Sequence, residues 1–249
     1  MTVSFYLSCI PKFLIMRTII ISGLLIITMT LAQTLHAQTA NDVVNKYIAA
    51  MGGREKLTSL KTVKMEASLT VQGTDVTLVI TKKHLTGMRM DISVMGTENY
   101  QIVTPAKGTV FMPVQGMSEP TAMPDEQLKA GQSQLDLEGT LVNYEDKGTT
   151  VELAGHENVD GEDCYSLKVT ANNGVTTNYF ISANTSYIVK TSGKRVINGE
   201  EMDISTTYSN YKQNADGYWF PYTSTNMQGT TDFAKIDTNV PVDESIFNQ

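Results

Sequence analysis

From Thr62 onward, hydrophobic and polar residues alternate with a period of two. Met65, Ala67, Leu69 and Val71 interleave with Lys64, Glu66, Ser68 and Thr70, which puts the two sets on opposite faces of a strand. Gly73-Thr74 turns the chain, and Val76–Lys82 runs back. The pattern recurs at Met88–Met95, Asn99–Thr104, Thr109–Met112, Val151–Leu153, Cys164–Thr170 and Thr176–Ser182. It continues at Tyr187–Arg195, Met202–Tyr211, Tyr218–Asn226 and Thr231–Asp237. The joining segments are short and carry turn residues, among them Asn172-Asn173-Gly174, Asn198-Gly199 and Asp216-Gly217. Helical spacing is clear only near the start, where Val43, Val44, Tyr47, Ile48 and Met51 share one face. Asn41 or Thr39 can cap this helix, and Gly52-Gly53 ends it. Arg54–Leu60 reads as a short second turn.

These elements predict a mainly β protein with capping helices: about ten or eleven antiparallel strands in one meander, a sheet so wide that it must curl or close. One stretch breaks the pattern. Pro113–Thr140 contains Pro120, Pro124, Gly116, Gly131 and Gly139 and little alternation. Pro124-Asp125-Glu126 is a good helix start, with proline at the first position and acids at the N-terminus. Leu128, Leu135 and Leu141 would then line one face. Residues 113–140 are expected to form a loop-and-helix insertion lying across the sheet. A curled sheet of this width leaves a hollow that helices or a ligand must fill.

The first 37 residues read as an export signal. Arg17 supplies a positive start, with Met16 just before it as an alternative first residue. Thr18–Leu31 supplies an apolar run, and Leu35-His36-Ala37 offers a small residue before Gln38. The run is shorter than the roughly 20 residues of a bilayer span. An uncleaved anchor drawing on Val3–Leu14 is the alternative. Cys9 does not follow the apolar run, as a lipid-modified cysteine would. Residues 38–249 are therefore expected as a single exported, monomeric, periplasmic domain.

Residues 1–37 hold the basic Lys12 and Arg17 and no acid, so the net charge of −7 becomes −9 over residues 38–249. An acidic surface releases no nucleic-acid counterions and repels anionic membranes, which argues against both as partners. Cys164 is the one cysteine of residues 38–249, so that domain has no internal disulfide to rely on. Its two histidines, His84 and His156, lie far apart in sequence, and no HExxH run occurs. Asp160, Glu162 and Asp163 read as a solvated turn rather than a calcium loop. There is no GxSxG elbow and no glycine-rich phosphate loop. Cys164 opens an apolar alternation and reads as a small buried residue rather than a nucleophile. No catalytic residue, metal or cofactor is expected, and a hydrolase is the least supported class.

Methionine is in excess. Seven of the ten in residues 38–249 fall between residues 65 and 123, and methionine suits surfaces that accept apolar ligands of varying shape. Met112, Met117 and Met123 lie in the insertion, which has little apolar sequence of its own.

With these residues placed, the chain resembles the outer-membrane lipoprotein-sorting proteins of Bacteroidota type, relatives of the Lol lipoprotein carriers. The resemblance opens with Tyr47-Ile48-Ala49-Ala50-Met51-Gly52-Gly53 and Glu55-Lys56-Leu57. It continues through Phe111-Met112-Pro113-Val114-Gln115-Gly116, Glu119-Pro120 and Val159-Asp160-Gly161. It closes with Tyr208-Ser209-Asn210-Tyr211, Asp216-Gly217-Tyr218-Trp219-Phe220-Pro221, and Asn239–Phe247. It implies a half-open β-barrel capped by helices over an apolar cavity that receives lipoprotein acyl chains or other lipid. It also allows a membrane-bound donor or acceptor protein as partner. Where the family has an arginine followed by proline that helps hold a lid closed, this chain has Lys82-Lys83-His84, with Lys83 the nearest match. The expected lining is Leu69, Val71, Leu78, Ile80, Met90 and Ile92, and the expected lid is Met112, Met117, Met123 and Leu128. An envelope sensor or interaction module on the same fold is the alternative function.

Overall fold

The computed structural model describes residues 38–197 and 200–248. The expected export segment, residues 1–37, lies outside them. Helix α1 (Ala40–Ala50) starts at a capping box: the Asp42 N–H donates to Thr39 Oγ1 at 3.2 Å, and the Thr39 N–H to the Asp42 carboxylate at 3.0 Å. Such a cap contributes about 1 kcal/mol. Gly52, at φ 104°, takes the left-handed turn that stops the helix, and α2 (Arg54–Thr58) follows.

Among the described residues thirteen strands form one sheet. They are β1 (Thr62–Val71), β2 (Thr74–Lys83), β3 (Gly87–Val94), β4 (Thr97–Val103), β5 (Gly108–Phe111), β6 (Thr121–Ala122) and β7 (Thr150–Val159). The rest are β8 (Glu162–Thr170), β9 (Thr176–Ser182), β10 (Ile188–Ile197), β11 (Glu200–Gln213), β12 (Trp219–Asn226) and β13 (Gly229–Thr238). Every neighbouring pair is antiparallel, and the first strand pairs with the last. Each of the twelve alternating stretches becomes a strand, already more than the expected ten or eleven, and the thirteenth, β6, is two residues inside the insertion, too short to alternate. Strand β7 is longer than its expected Val151–Leu153. A bulge between Leu153 and Gly155, with Gly155 at φ 134°, breaks the alternation that would have revealed the rest.

The strand order is β6-β5-β4-β3-β2-β1-β13-β12-β11-β10-β9-β8-β7. Strands β6 and β7 are successive in sequence yet occupy opposite edges. A flat sheet of this size would hold its edges about 60 Å apart at about 4.8 Å per strand. The joining residues 123–149 are one helix, α3 (Asp125–Gln132), followed by turns. That segment is a strap across a curled sheet. Its side chains enter three core clusters in order. Met123, Leu128 and Leu135 pack with Ile80, Met88 and Val103. Leu137 packs with Leu60, Val63, Tyr218 and Ile236. Leu141 and Val142 pack with Val43, Val44 and Ile48 of α1 over Leu167, Val169 and Ile181. The curl is thus held by burial of apolar side chains from both halves of the sheet against one segment.

The convex side is covered locally by the C-terminal turn Glu244–Phe247, whose Phe247 ring sits against Gly87. A Cβ at Gly87 would meet that ring at 2.7 Å, so glycine is what admits the ring. Among the described residues no helix is long and apolar enough to cross a membrane.

Candidate ligand-binding face

Register decides which residues share the concave face. Met65 pairs with Ile80, Ala67 with Leu78 and Leu69 with Val76. Ile80 pairs with Met90, and Leu78 with Ile92. The six expected lining residues therefore lie on one face, the face that the strap packs against through Ile80, Leu78 and Met90. Along β1 their cover thins from the closed end outward: Val63 is buried, Leu69 half-buried and Val71 exposed. Leu78, Met90 and Ile92 are half-buried, whereas Ile80 is core.

One end of the curl is knitted shut. The Met123 N–H donates to Gly108 O, the Leu85 N–H to Leu135 O and the Leu137 N–H to His84 Nδ1. His84 Nε2 faces the Glu138 carboxylate at 3.8 Å. Lys147 joins Asp136 at 2.5 Å and donates to Gly139 O at 3.0 Å. The other end, that of the β1–β2, β3–β4, β8–β9 and β12–β13 turns, is less covered and exposes apolar residues. Met95 is 86 % and Met227 68 % exposed there, with Val71, Val114, Val175 and Met202 also exposed. The turns Gln72–Gly73, Met95–Gly96, Asn172–Val175 and Met227–Gln228 carry no charge.

The insertion divides in two. Met123 is buried and Leu128 half-buried in the cluster under the strap. Met112 and Met117 flank the short turn Pro113–Gln115 at the rim, both half-buried. One side chain tethers this turn: the Val114 N–H donates to the buried Asn99 Oδ1 at 3.0 Å, and Asn99 Nδ2 donates to Ile92 O and Thr97 O. Lys83 is not brought to the insertion. Its ammonium pairs with Glu244 of the C-terminal turn. Lys82, one residue earlier and on the opposite face, donates to Gln134 Oε1 at 3.2 Å just past α3, and burial pushes its pKa down to about 8.

The other half of the concave face carries residues the alternation did not single out. Leu167 pairs with Tyr179, Tyr179 with Thr191 and Thr191 with Thr206. Tyr208 Oη lies 3.3 Å from Thr191 Oγ1. Asn210, at φ 58°, lies within β11, and both Tyr208 and Tyr211 neighbour Tyr47 of α1. Burial, then the neighbouring hydroxyls, pushes the Tyr47 and Tyr211 phenols well above their ordinary value. Arg195, near the open end of β10, donates to Thr177 Oγ1 at 3.0 Å and to Lys194 O at 2.7 Å. A signal for this half was present in Thr177-Tyr179 and Thr191-Gly193-Arg195. On the alternation alone such a face reads as solvent-facing.

Cys164 is fully buried, donates to Glu162 O at 3.4 Å, and has its pKa pushed up to about 11 by burial. Its thiol is not an activated nucleophile. Among the described residues no group of three or more His, Cys, Asp or Glu is arranged to hold a metal.

Two solved structures share this architecture. A LolA superfamily protein from Nitrosomonas europaea superposes with a TM-score of 0.55 at 15% identity, covering 86% of this chain and 99% of its own. A DUF1329 family protein from Desulfovibrio piger superposes with a TM-score of 0.55 at 15% identity, covering 84% and 96%. No family model matches the chain, and no curated protein matches it. The fold is thus LolA-like: one large open antiparallel sheet with few helices.

Proposed function

We propose that this protein is a non-enzymatic carrier of lipid acyl chains in the periplasm, and that its cargo is the acylated end of lipoproteins bound for the outer membrane. One observation carries the reading. An apolar concave face is packed at one end and left partly uncovered at the other, where exposed methionines and valines on uncharged turns surround the opening. Each methylene taken from water is worth about 0.8 kcal/mol, so a chain of roughly sixteen carbons costs on the order of 12 kcal/mol to expose. A lipidated molecule crosses an aqueous compartment only if that surface is enclosed. An adaptable lining of Met, Leu and Ile encloses it without a tight fit. The expected export segment would place it in that compartment, and the exposed methionines and valines at this end suit a handover at a lipid or apolar protein surface.

The experiment is displacement of an apolar fluorescent probe by diacyl lipids. Leu78→Glu places an unpaired charge in the half-buried lining and should weaken binding at least tenfold, while the exposed Leu85→Glu at the closed end leaves it unchanged. Probe binding equal in the folded Leu78→Glu protein and the wild type would remove the concave face as the site.

A further inference from the structure

The two halves of the concave face differ in chemistry. From β1 to β3 the inward positions are Val, Ala, Met, Leu and Ile, with Lys82 at the closed end against the strap. From β9 to β11 they include Thr177, Tyr179, Thr191, Thr206 and Tyr208, with Arg195 nearest the opening. Arg195 is half-buried, and its hydrogen-bond partners are neutral: Thr177 Oγ1 at 3.0 Å, Thr176 O at 3.4 Å and Lys194 O at 2.7 Å. Among the described residues no carboxylate forms an ion pair with it. The neighbouring Lys194 points to the other face and takes Glu201 at 2.6 Å. Gly193 makes the arrangement possible. A Cβ there would lie 3.0 Å from Thr176 O and 3.2 Å from Arg195 Nη1, so glycine leaves the guanidinium room to lie flat on the sheet towards β9.

A guanidinium has five donors in a fixed fork that matches a carboxylate or phosphate. Three are used by neutral oxygens, which fix the group without neutralising its charge. On the concave face such a group keeps two donors and its charge for an anion. From β10 to β1 the sheet advances four strands, about 19 Å along its curve at about 4.8 Å each. That is comparable with one acyl chain, which spans half of a hydrocarbon core of about 30 Å. A head at Arg195 would therefore lay its tail over Leu69 and Leu78.

We infer that the hollow is an amphiphile site whose anionic headgroup, a carboxylate or phosphate, is held by Arg195 with Thr177 at the open end of β9 and β10. This rests on the lipid-binding reading above and adds the class of headgroup. Charge-assisted hydrogen bonds contribute about 1.5–3 kcal/mol, or roughly 10- to 100-fold in affinity.

The test compares each anionic amphiphile with its neutral counterpart on the purified protein. One pair is a fluorescent long-chain fatty acid and its methyl ester. The other is a monoacylglycerol phosphate and the corresponding monoacylglycerol. The wild type should bind the acid of at least one pair about tenfold more tightly than its partner, and the pair with the larger gap identifies the headgroup. Arg195→Gln should abolish the gap while binding the neutral members as before, and Arg195→Lys should restore part of it. Gly193→Ala, which keeps the charge but displaces the guanidinium, should narrow the gap with the thermal melt retained. Equal binding of acid and neutral forms by the wild type would overturn the headgroup site and leave the lipid reading standing. Binding of neither would overturn the lipid reading itself. A gap that survives Arg195→Gln would place the anion elsewhere.

Discussion

Gly131 of α3 rests directly on Val103 of β4: a Cβ added to the glycine would stand 2.7 Å from Val103 Cγ2. On the same strand pair, a Cβ at Gly108 would stand 2.8 Å from Met123 Cβ and 3.1 Å from Leu128 Cδ1. The helical part of the insertion is seated on the sheet at hydrogen-to-methyl distance, with Met123 and Leu135 buried beside it.

Gly131→Ala should therefore destabilise the protein although alanine is the better helix former. The propensity gain is about 1 kcal/mol, and forcing a methyl into a packed contact costs about 1–3 kcal/mol. A net loss of roughly 1 kcal/mol in chemical denaturation is expected, and Gly131→Ala should instead stabilise when made on a Val103→Ala background, where the methyl has room. A gain in stability from Gly131→Ala alone would mean that α3 is free to lift from β4.

Ligand-dependent motion should concentrate in residues 112–120, not in the whole of residues 113–140. The rim turn hangs on the Val114–Asn99 bond, while the segment after it is anchored by the buried Met123, Gly131 and Leu135. Hydrogen exchange should show residues 112–120 opening far below the global unfolding free energy and gaining protection with lipid. Residues 125–135, Cys164–Thr170 and Met202–Tyr211 should stay protected throughout. Protection equal in empty and loaded protein along 112–120 would remove the gate.

Stability should rise between about pH 8 and 10 and fall above it. Lys82 has a folded pKa pushed down to about 8 by burial, so its ammonium is disfavoured in the fold at any pH below that. Raising the pH through 8 relieves the penalty up to the unfolded value, worth at most about 3 kcal/mol and less after screening. Tyr47 and Tyr211 are raised instead, so their contribution is intact below 10 and is lost as unfolded tyrosines ionise above it. Urea melts across this range should trace the rise and fall. Lys82→Met should flatten the rise and stabilise the protein at pH 7. A Lys82→Met protein less stable than wild type at pH 7 would show that the Gln134 bond outweighs the burial cost.

The Cys164 thiol should resist alkylation in native protein at pH 8 and react only as fast as the fold opens. It is fully buried, and its pKa is pushed up to about 11, which leaves little thiolate. A labelling rate independent of added urea would contradict its burial.

Much of the architecture was legible from the sequence because a strand's alternation is a local property. Leu69, Val71, Leu78, Ile80, Met90 and Ile92 were assignable to one face, and Thr39 to a helix start, from neighbours a few residues away. Strand β7 was read short because Gly155 shifts the parity mid-strand, and β6 was missed because two residues carry no period.

What sequence alone left open was which face is concave, since alternation distinguishes two sides without saying which one curls inward. That choice is made by residues 123–149, which must join opposite edges of the sheet and bury Leu135, Leu137 and Leu141 against strands distant in sequence. The same non-local choice separates residues that are adjacent in the chain. Lys83 turns to Glu244 and Lys82 to the strap, and Lys194 turns to Glu201 and Arg195 to the hollow. A one-residue step in a strand exchanges its faces, so pattern placed these charges on opposite sides, and only the tertiary curl decided which of them meet the site.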